Sequence, residues 1–384
     1  MLVICDINIY KLGHYIGFNQ YLLDHADQIR RAAKTDRVVF FFNEEAKTLL
    51  SIPANVEVEF LPVPSIWRYQ PMKRFRIWRI INERMQQYPG AHLYYMDFDK
   101  FQLPVGLMNM NFRLSGIYFR PHHRITTSNR TLKIRLQTWL KRYKKIAAER
   151  LLLRNRSLER VYILNDREGV SYLNKYHGNQ VFRYLPDPIF DYGFEPGTIE
   201  RPVDSISFLI FGALTERKNI RMLITAFGRA RFSKKAVLHL VGKTESDQYL
   251  QSLRTLAADS IRGQEAEKSV LFNTDFVSDE EMERYHASTH VSLLVYRDFY
   301  GSSGLIGRAA KHRQLVIAPS VGLLSEITEQ YRLGITVDPN DLTEITVAME
   351  KAEQLVKKQE FEGATAFYKE HHPSRFLETL FSID

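Results

Sequence analysis

The sequence predicts an α/β protein of two domains facing each other across a cleft, each with a mostly parallel sheet covered by helices. Three observations carry that prediction. Strand-like apolar runs alternate with helical spacings in both halves of the chain, the pattern of a sheet covered on both faces. Glycine turns such as "FGALTERKN" and "YRDFYGSSG" follow strands, at the place where ligands sit in such sheets. A length of 384 residues, 45% of them hydrophobic and 12% aromatic, suits two folded domains and excludes a disordered chain.

In the N-terminal half "MLVICDIN", "RVVFFFN", "VEVEFLPV", "HLYYMDFD", "SGIYFRP" and "RVYILND" read as strands, with helices between several of them. The Pro-, Gly- and acid-rich stretch near residues 186–204 reads as an interdomain linker, which sets domains at 1–190 and 200–365. Beyond it, "SISFLIFGAL" is a strand ending in a glycine turn at Gly212, and "KNIRMLITAFGRAR" has helical spacing. "AVLHLVGKT", "SVLFNTDFVS", "HVSLLVY", "LVIAPS" and "LGITVDPN" are further strands, separated by helices. One of these helices, "DEEMERYHAST", opens acidic, as the positive end of a helix dipole favours. His371 and His372 fall in a terminal helix and are expected to be solvated.

The single cysteine, Cys5, lies in the first apolar run, so an intramolecular disulfide is excluded and a reducing cytosol is expected. No signal peptide is expected, and no apolar run is long enough to cross a bilayer. The formal charge of +9 is concentrated. Residues 124–160 hold twelve Lys and Arg against Glu149 and Glu159, so that segment alone carries +10. Within it, apolar residues at 132, 136, 139, 140, 143 and 146–147 trace one helical stripe among cations. Such a helix suits an anionic membrane surface contacted through residues 130–156, or a core-packed helix with a solvated basic face. Nucleic acid is not an expected partner, because no helix-turn-helix, zinc-finger or RNA-recognition signature accompanies the charge.

Two motifs carry chemistry. Arg217 and Lys218 follow a strand and its glycine turn and precede a helix, a place where cations and free N–H groups hold a diphosphate; a solvated helix start is the plainer alternative. In "YGSSGLIGR", Gly301, Gly304 and Gly307 allow close backbone approach, and the N–H groups of Ser303, Gly304 and Leu305 could grip the same phosphates. A tight strand-to-helix connection would use the same glycines.

In order, "FLIFGALTERKNIRMLITAF", "LHLVGK" and "YGSSGLIGRAAKHRQLVIAPSVGLLSEI" resemble the donor-binding domain of retaining GT-B glycosyltransferases, especially those similar to family 4, or group 1. The resemblance implies two Rossmann-like domains, a nucleotide-sugar donor held by residues 200–365, and a hydroxyl acceptor on a glycan or glycolipid. It also implies that residues 366–384 pack back onto the N-terminal domain. Arg217 and Lys218 would neutralise the leaving diphosphate. Gly13 and His14 after the first strand, and His122 or His123 after "SGIYFRP", would line the acceptor side, with His122 beside the reacting sugar. The family has two glutamates eight positions apart across the glycine turn, and here Tyr300 and Arg308 stand in their places. Arg308 could then pair with a phosphate or an acidic sugar, and Asp298 with a hydroxyl. A re-tuned donor site is the leading reading, and a non-catalytic interaction or nucleotide-sensing subunit is the alternative. No metal and no cofactor is expected. The rival is "MDFD", whose Asp97 and Asp99 could hold a divalent cation on a sugar diphosphate.

Overall fold

Strands such as Val38–Asn43, with no polar face, have to be buried on both sides, and both sheets of the computed structural model bury them so. The structure describes residues 1–10, 15–125, 131–191, 199–264, 266–299, 301–358 and 362–382. These divide into one unit of Met1–Asp187 with Pro373–Asp384, and a second of Pro188–His372.

The first unit contains β1 (Leu2–Asp6), β2 (Val38–Asn43), β3 (Glu57–Leu61), β4 (His92–Tyr95), β5 (Arg113–Ile117), β6 (Leu158–Leu164) and β7 (Phe182–Leu185). They form a parallel sheet in the order β3-β2-β1-β4-β5-β6-β7. Alternate residues feed two separate cores. Val3, Cys5, Val39 and Phe41 pack on one face with Trp78, whereas Leu2, Ile4, Phe40 and Phe42 pack on the other.

The second unit contains β8 (Ser205–Phe211), β9 (Lys235–Val241), β10 (Lys268–Asn273), β11 (Val291–Leu293), β12 (Leu315–Pro319) and β13 (Gly334–Val337). Its order is β10-β9-β8-β11-β12-β13, again with parallel pairings. The strand order therefore reverses once in each sheet, between β1 and β4 in the first and between β8 and β11 in the second. Those two positions are where an open parallel sheet presents a crevice for a ligand.

The chain returns to the first unit at Pro373. The helix Pro373–Phe381 places Phe376, Leu377, Leu380 and Phe381 in the second core of that unit, and Tyr162 Oη donates to Leu380 O at 3.0 Å. Residues 366–372, expected to belong to that returning segment, instead lie in the second unit. Phe367 of the helix Glu362–Glu370 is buried there against Tyr331, with ring centroids 4.8 Å apart. His371 is not solvated either, since it is buried and stacks on Phe367 at 3.9 Å. From Pro188 onward the described parts of the linker are anchored in the second unit. Ile189 N donates to His371 O at 2.9 Å, and the Arg201 guanidinium donates to the carbonyls of Ala287, His312 and Arg313.

The stripe on the basic helix Leu132–Leu152 faces outward. Leu132, Leu136, Trp139, Leu140 and Tyr143 are exposed, while Lys145 and Glu149 point into the unit. The core-packed alternative is thereby corrected for those five residues.

Candidate functional site

The carboxyl end of β8 turns sharply at Gly212, whose φ of 84° suits glycine. Its amide donates to Val241 O at 2.8 Å, and Gly242 (φ 132°) sits so close that a Cβ there would lie 2.4 Å from Gly212 O. Glu216–Lys218 form one turn of 3-10 helix ahead of the helix Ile220–Arg229. Its two cations differ in setting. Arg217 is exposed, with its guanidinium 5.3 Å from the ring of Tyr296 and 4.7 Å from that of Phe299. Lys218 is buried, and its ammonium donates to Phe211 O directly beneath the Gly212 turn. Burial, and secondly the charge of Arg217, push the Lys218 ammonium down to about 7.

The neighbouring strand β11 leads into Tyr296, whose side chain hydrogen-bonds Ser303. Arg297 N donates to Arg217 O at 2.9 Å, which ties the two strand ends together across the point where the sheet reverses. Asp298 is exposed with φ 47°, and Ser303 has φ 57° before the helix Gly304–Lys311. The first N–H groups of a helix have no partner within it, so those of Gly304 and Leu305 suit an anion. A Cβ on Gly304 would meet nothing within 4 Å, whereas one on Gly307 would lie 2.6 Å from Ile189. Gly301 and Gly304 thus bound the loop, while Gly307 serves packing. The structure brings together Gly212, Arg217, Lys218, Gly301, Ser303, Gly304 and Leu305 along one rim. Tyr300, Gly13 and His14 lie outside the described residues.

Three expectations are corrected. Arg308 does not offer its guanidinium to a ligand, because it is engaged by Glu283 of the helix Asp279–Ser288 and by Phe190 O at 3.2 Å. Glu283 has no exposed side-chain surface, and it also accepts from Lys311 Nζ at 3.0 Å and His312 Nε2 at 2.5 Å. His122 is wholly buried, with Nδ1 2.5 Å from Glu149 Oε2, so in this structure it cannot stand beside a sugar. His123 is held by Asp166 at 3.0 Å, next to Arg124 on the same carboxylate. Glu149 further accepts from Tyr118 Oη at 2.6 Å and His177 Nε2 at 3.2 Å. Among the described residues, His122, Glu149 and His177 are the group whose atoms stand close enough to share a metal ion. Both histidines hydrogen-bond the Glu149 carboxylate, and those two bonds already account for the approach.

At the carboxyl ends of β1 and β4 a second polar group assembles in the first unit. Arg68 is buried, donates to Asn8 O at 3.2 Å, and stacks its guanidinium on Tyr10 at 4.3 Å and Tyr69 at 4.7 Å. Lys100 Nζ lies 3.9 Å from the centre of the Tyr69 ring, and Arg74 Nε donates to Arg68 O at 2.7 Å. Asp97 and Asp99 go separate ways. Asp99 pairs with Lys145 at 3.0 Å and accepts from Phe119 N at 2.7 Å. Asp97 accepts from Asp99 N, and burial, then the charge of Asp99, push its carboxyl up to about 7. Tyr69 and Arg74 fall in the aromatic and cationic run "WRYQPMKRFRIWRI" at 67–80, which suits the acceptor site or a membrane surface, whereas Lys100 carried no signal of its own. Tyr296 and Phe299, which flank Arg217, carried no signal beyond following a strand.

Residues 205–354 match the family model described as "Glycosyl transferases group 1". No curated protein matches the chain in sequence. Solved structures are similar over nearly the whole chain. A glycosyltransferase from Rickettsia africae is 10% identical, covering 98% of this chain and 95% of that one, with a TM-score of 0.64. Sucrose-phosphate synthase from Thermosynechococcus elongatus is 14% identical, covering 99% and 94%, with a TM-score of 0.63. WaaG, a glycosyltransferase involved in lipopolysaccharide biosynthesis, is 12% identical, covering 99% and 97%, with a TM-score of 0.59. These likenesses show the fold, two Rossmann-like units of the GT-B type.

Proposed function

From the premise that the chain resembles group 1 glycosyl transferases, through residues 205–354, we propose that it moves a sugar from a nucleotide-sugar to a hydroxyl acceptor, with retention and without a metal. The observation that carries this reading is the meeting of Arg217, Lys218 and the start of the helix Gly304–Lys311 where the second sheet reverses. As the bond from the anomeric carbon to the diphosphate breaks, negative charge grows on the departing oxygen. Arg217, a protonated Lys218 and the N–H groups of residues 303–305 would stabilise that charge as it develops. The acceptor oxygen then bonds to the same carbon, and its proton passes to the leaving diphosphate. Asp298, exposed beside this loop, is proposed to bind a donor hydroxyl. Arg308 is assigned a structural part.

The acceptor is proposed to be a glycan or a lipid-linked glycan, bound in the first unit where Arg68, Tyr69, Arg74 and Lys100 gather at the end of its sheet. Aromatic and cationic side chains together suit a sugar that carries an acidic group. An anionic membrane surface is the proposed site of work, reached through the basic helix.

The test is transfer itself. Purified protein is incubated with UDP-, GDP- and ADP-sugars and a mixture of glycan and glycolipid acceptors, with chelator present. Nuclear magnetic resonance then follows diphosphate release and the anomer of the product. One donor class should react and keep its anomeric configuration. Binding of a diphosphate with no transfer to any acceptor would favour the nucleotide-sensing alternative, which Tyr300 and Arg308 in place of the two glutamates support.

A further inference from the structure

The helix Leu132–Leu152 is amphipathic in the wrong sense for a protein core. Apart from Leu152 at its end, which joins the core, the side chains that tie it to the unit are polar. Lys145 Nζ bonds Asp99 Oδ1 at 3.0 Å, Arg120 O at 2.6 Å and Tyr118 Oη at 3.2 Å, while Glu149 holds His122 and His177. These bonds fix which side faces the unit, because breaking them would bury unpaired charge. The apolar stripe is thereby turned to solvent. Leu132 is 79% exposed, Trp139 58% and Tyr143 59%, and the rings of Trp139 and Tyr143 stack at 5.7 Å. The adjoining helix Gln102–Leu107 packs on this one and adds Leu107, 61% exposed. Exposed cations, Lys133, Arg135, Lys141 and Lys144, flank the stripe.

We propose that this face docks on an anionic lipid bilayer, lying parallel to its surface with Leu136, Trp139, Leu140 and Tyr143 in the headgroup boundary. Charge selects that occupant over a second copy of the chain. The segment 124–160 carries +10, and two such faces would repel. A bilayer rich in acidic lipids supplies apolar depth and negative charge together, and aromatic rings favour that boundary. No helix among the described residues is long and apolar enough to cross a membrane. Attachment would therefore be peripheral. The inference deepens the proposed function and rests on it only in making the acceptor lipid-linked.

Flotation of the full chain with vesicles tests it. Vesicles of phosphatidylcholine with phosphatidylglycerol should carry the protein up, and vesicles of phosphatidylcholine alone should not. Raised salt should weaken the binding. Trp139→Ser with Leu140→Ser, and separately Lys141→Glu with Lys144→Glu, should each lower vesicle partition about tenfold or more. These residues are exposed, so thermal unfolding and nucleoside diphosphate binding should not change. Absence of wild-type flotation, or equal flotation of the variants, overturns the docking site. A concentration-dependent dimer abolished by the same variants also overturns it, in favour of a second copy. Failure of all nucleotides to bind, with vesicle binding intact, would sink the transfer reading and leave the docking surface standing.

Discussion

Replacing Arg217 and Lys218 together by alanine is expected to lower sugar transfer by at least ~10³-fold, since one preorganised donor to a developing oxyanion is commonly worth 10²–10³. The two contributions separate. Arg217 is exposed and packs only its guanidinium on Tyr296 and Phe299, so Arg217→Ala should leave thermal unfolding within about 0.5 kcal/mol of wild type. Lys218 is buried under Gly212, so its truncation also leaves a cavity and frees Phe211 O. Lys218→Met, which also frees Phe211 O but fills most of that space, is the matched control and should lose turnover with less loss of fold than Lys218→Ala. Steady-state rates with the donor found in the transfer assay decide the matter. Undiminished turnover in the double variant would remove the diphosphate role from both residues.

Glu283→Gln is expected to cost about 3–5 kcal/mol, because it leaves Arg308, Lys311 and His312 facing one another without their shared carboxylate. Lys311 has no exposed side-chain surface, and its remaining partner, Asp191 at 3.1 Å, is half in solvent. The melting temperature should fall by roughly 10 °C for a unit of this size. Burial raises the Glu283 carboxyl, but the hydrogen bond from His312 and the charges of Arg308 and Lys311 outweigh it and hold the group at about 2. Its folded value lies below the ordinary glutamate value, so the stabilisation is complete above about pH 4.5 and is lost as pH falls towards 2. Wild type and variant should therefore converge in stability on acidification. Calorimetric unfolding at pH 7 and near pH 2.5 measures both statements, and equal melting temperatures at pH 7 would show that the cluster stabilises nothing.

The parallel sheets were legible because burial on both faces leaves a continuous apolar strand, as in Val38–Asn43 and Leu315–Pro319. Arg217 and Lys218 were legible because a strand, a glycine turn and a helix start constrain where a following residue stands. The histidines were not. Nothing local in "RPHHR" shows that His122 turns inward to Glu149, 27 residues on, or that Asp166 takes His123. Arg308 was misjudged for the same reason, since its partner Glu283 belongs to a different helix. Periodicity found the stripe on the helix Leu132–Leu152, but it could not say which side faces the core. That choice rests on Lys145 and Glu149, whose partners Asp99, Tyr118, His122 and His177 are distant in sequence.

The measurement that tests the central claim most directly is calorimetric titration of nucleoside diphosphates into the wild-type chain, with chelator, between pH 6 and pH 9. Burial pushes the Lys218 ammonium down to about 7, whereas a bound diphosphate favours its charged form. One diphosphate should therefore bind per chain, with uptake of a proton near pH 8 and an affinity that falls as pH rises above about 7. The fall should vanish in Lys218→Met. Failure of every diphosphate to bind, or binding that requires a divalent metal, would contradict the account.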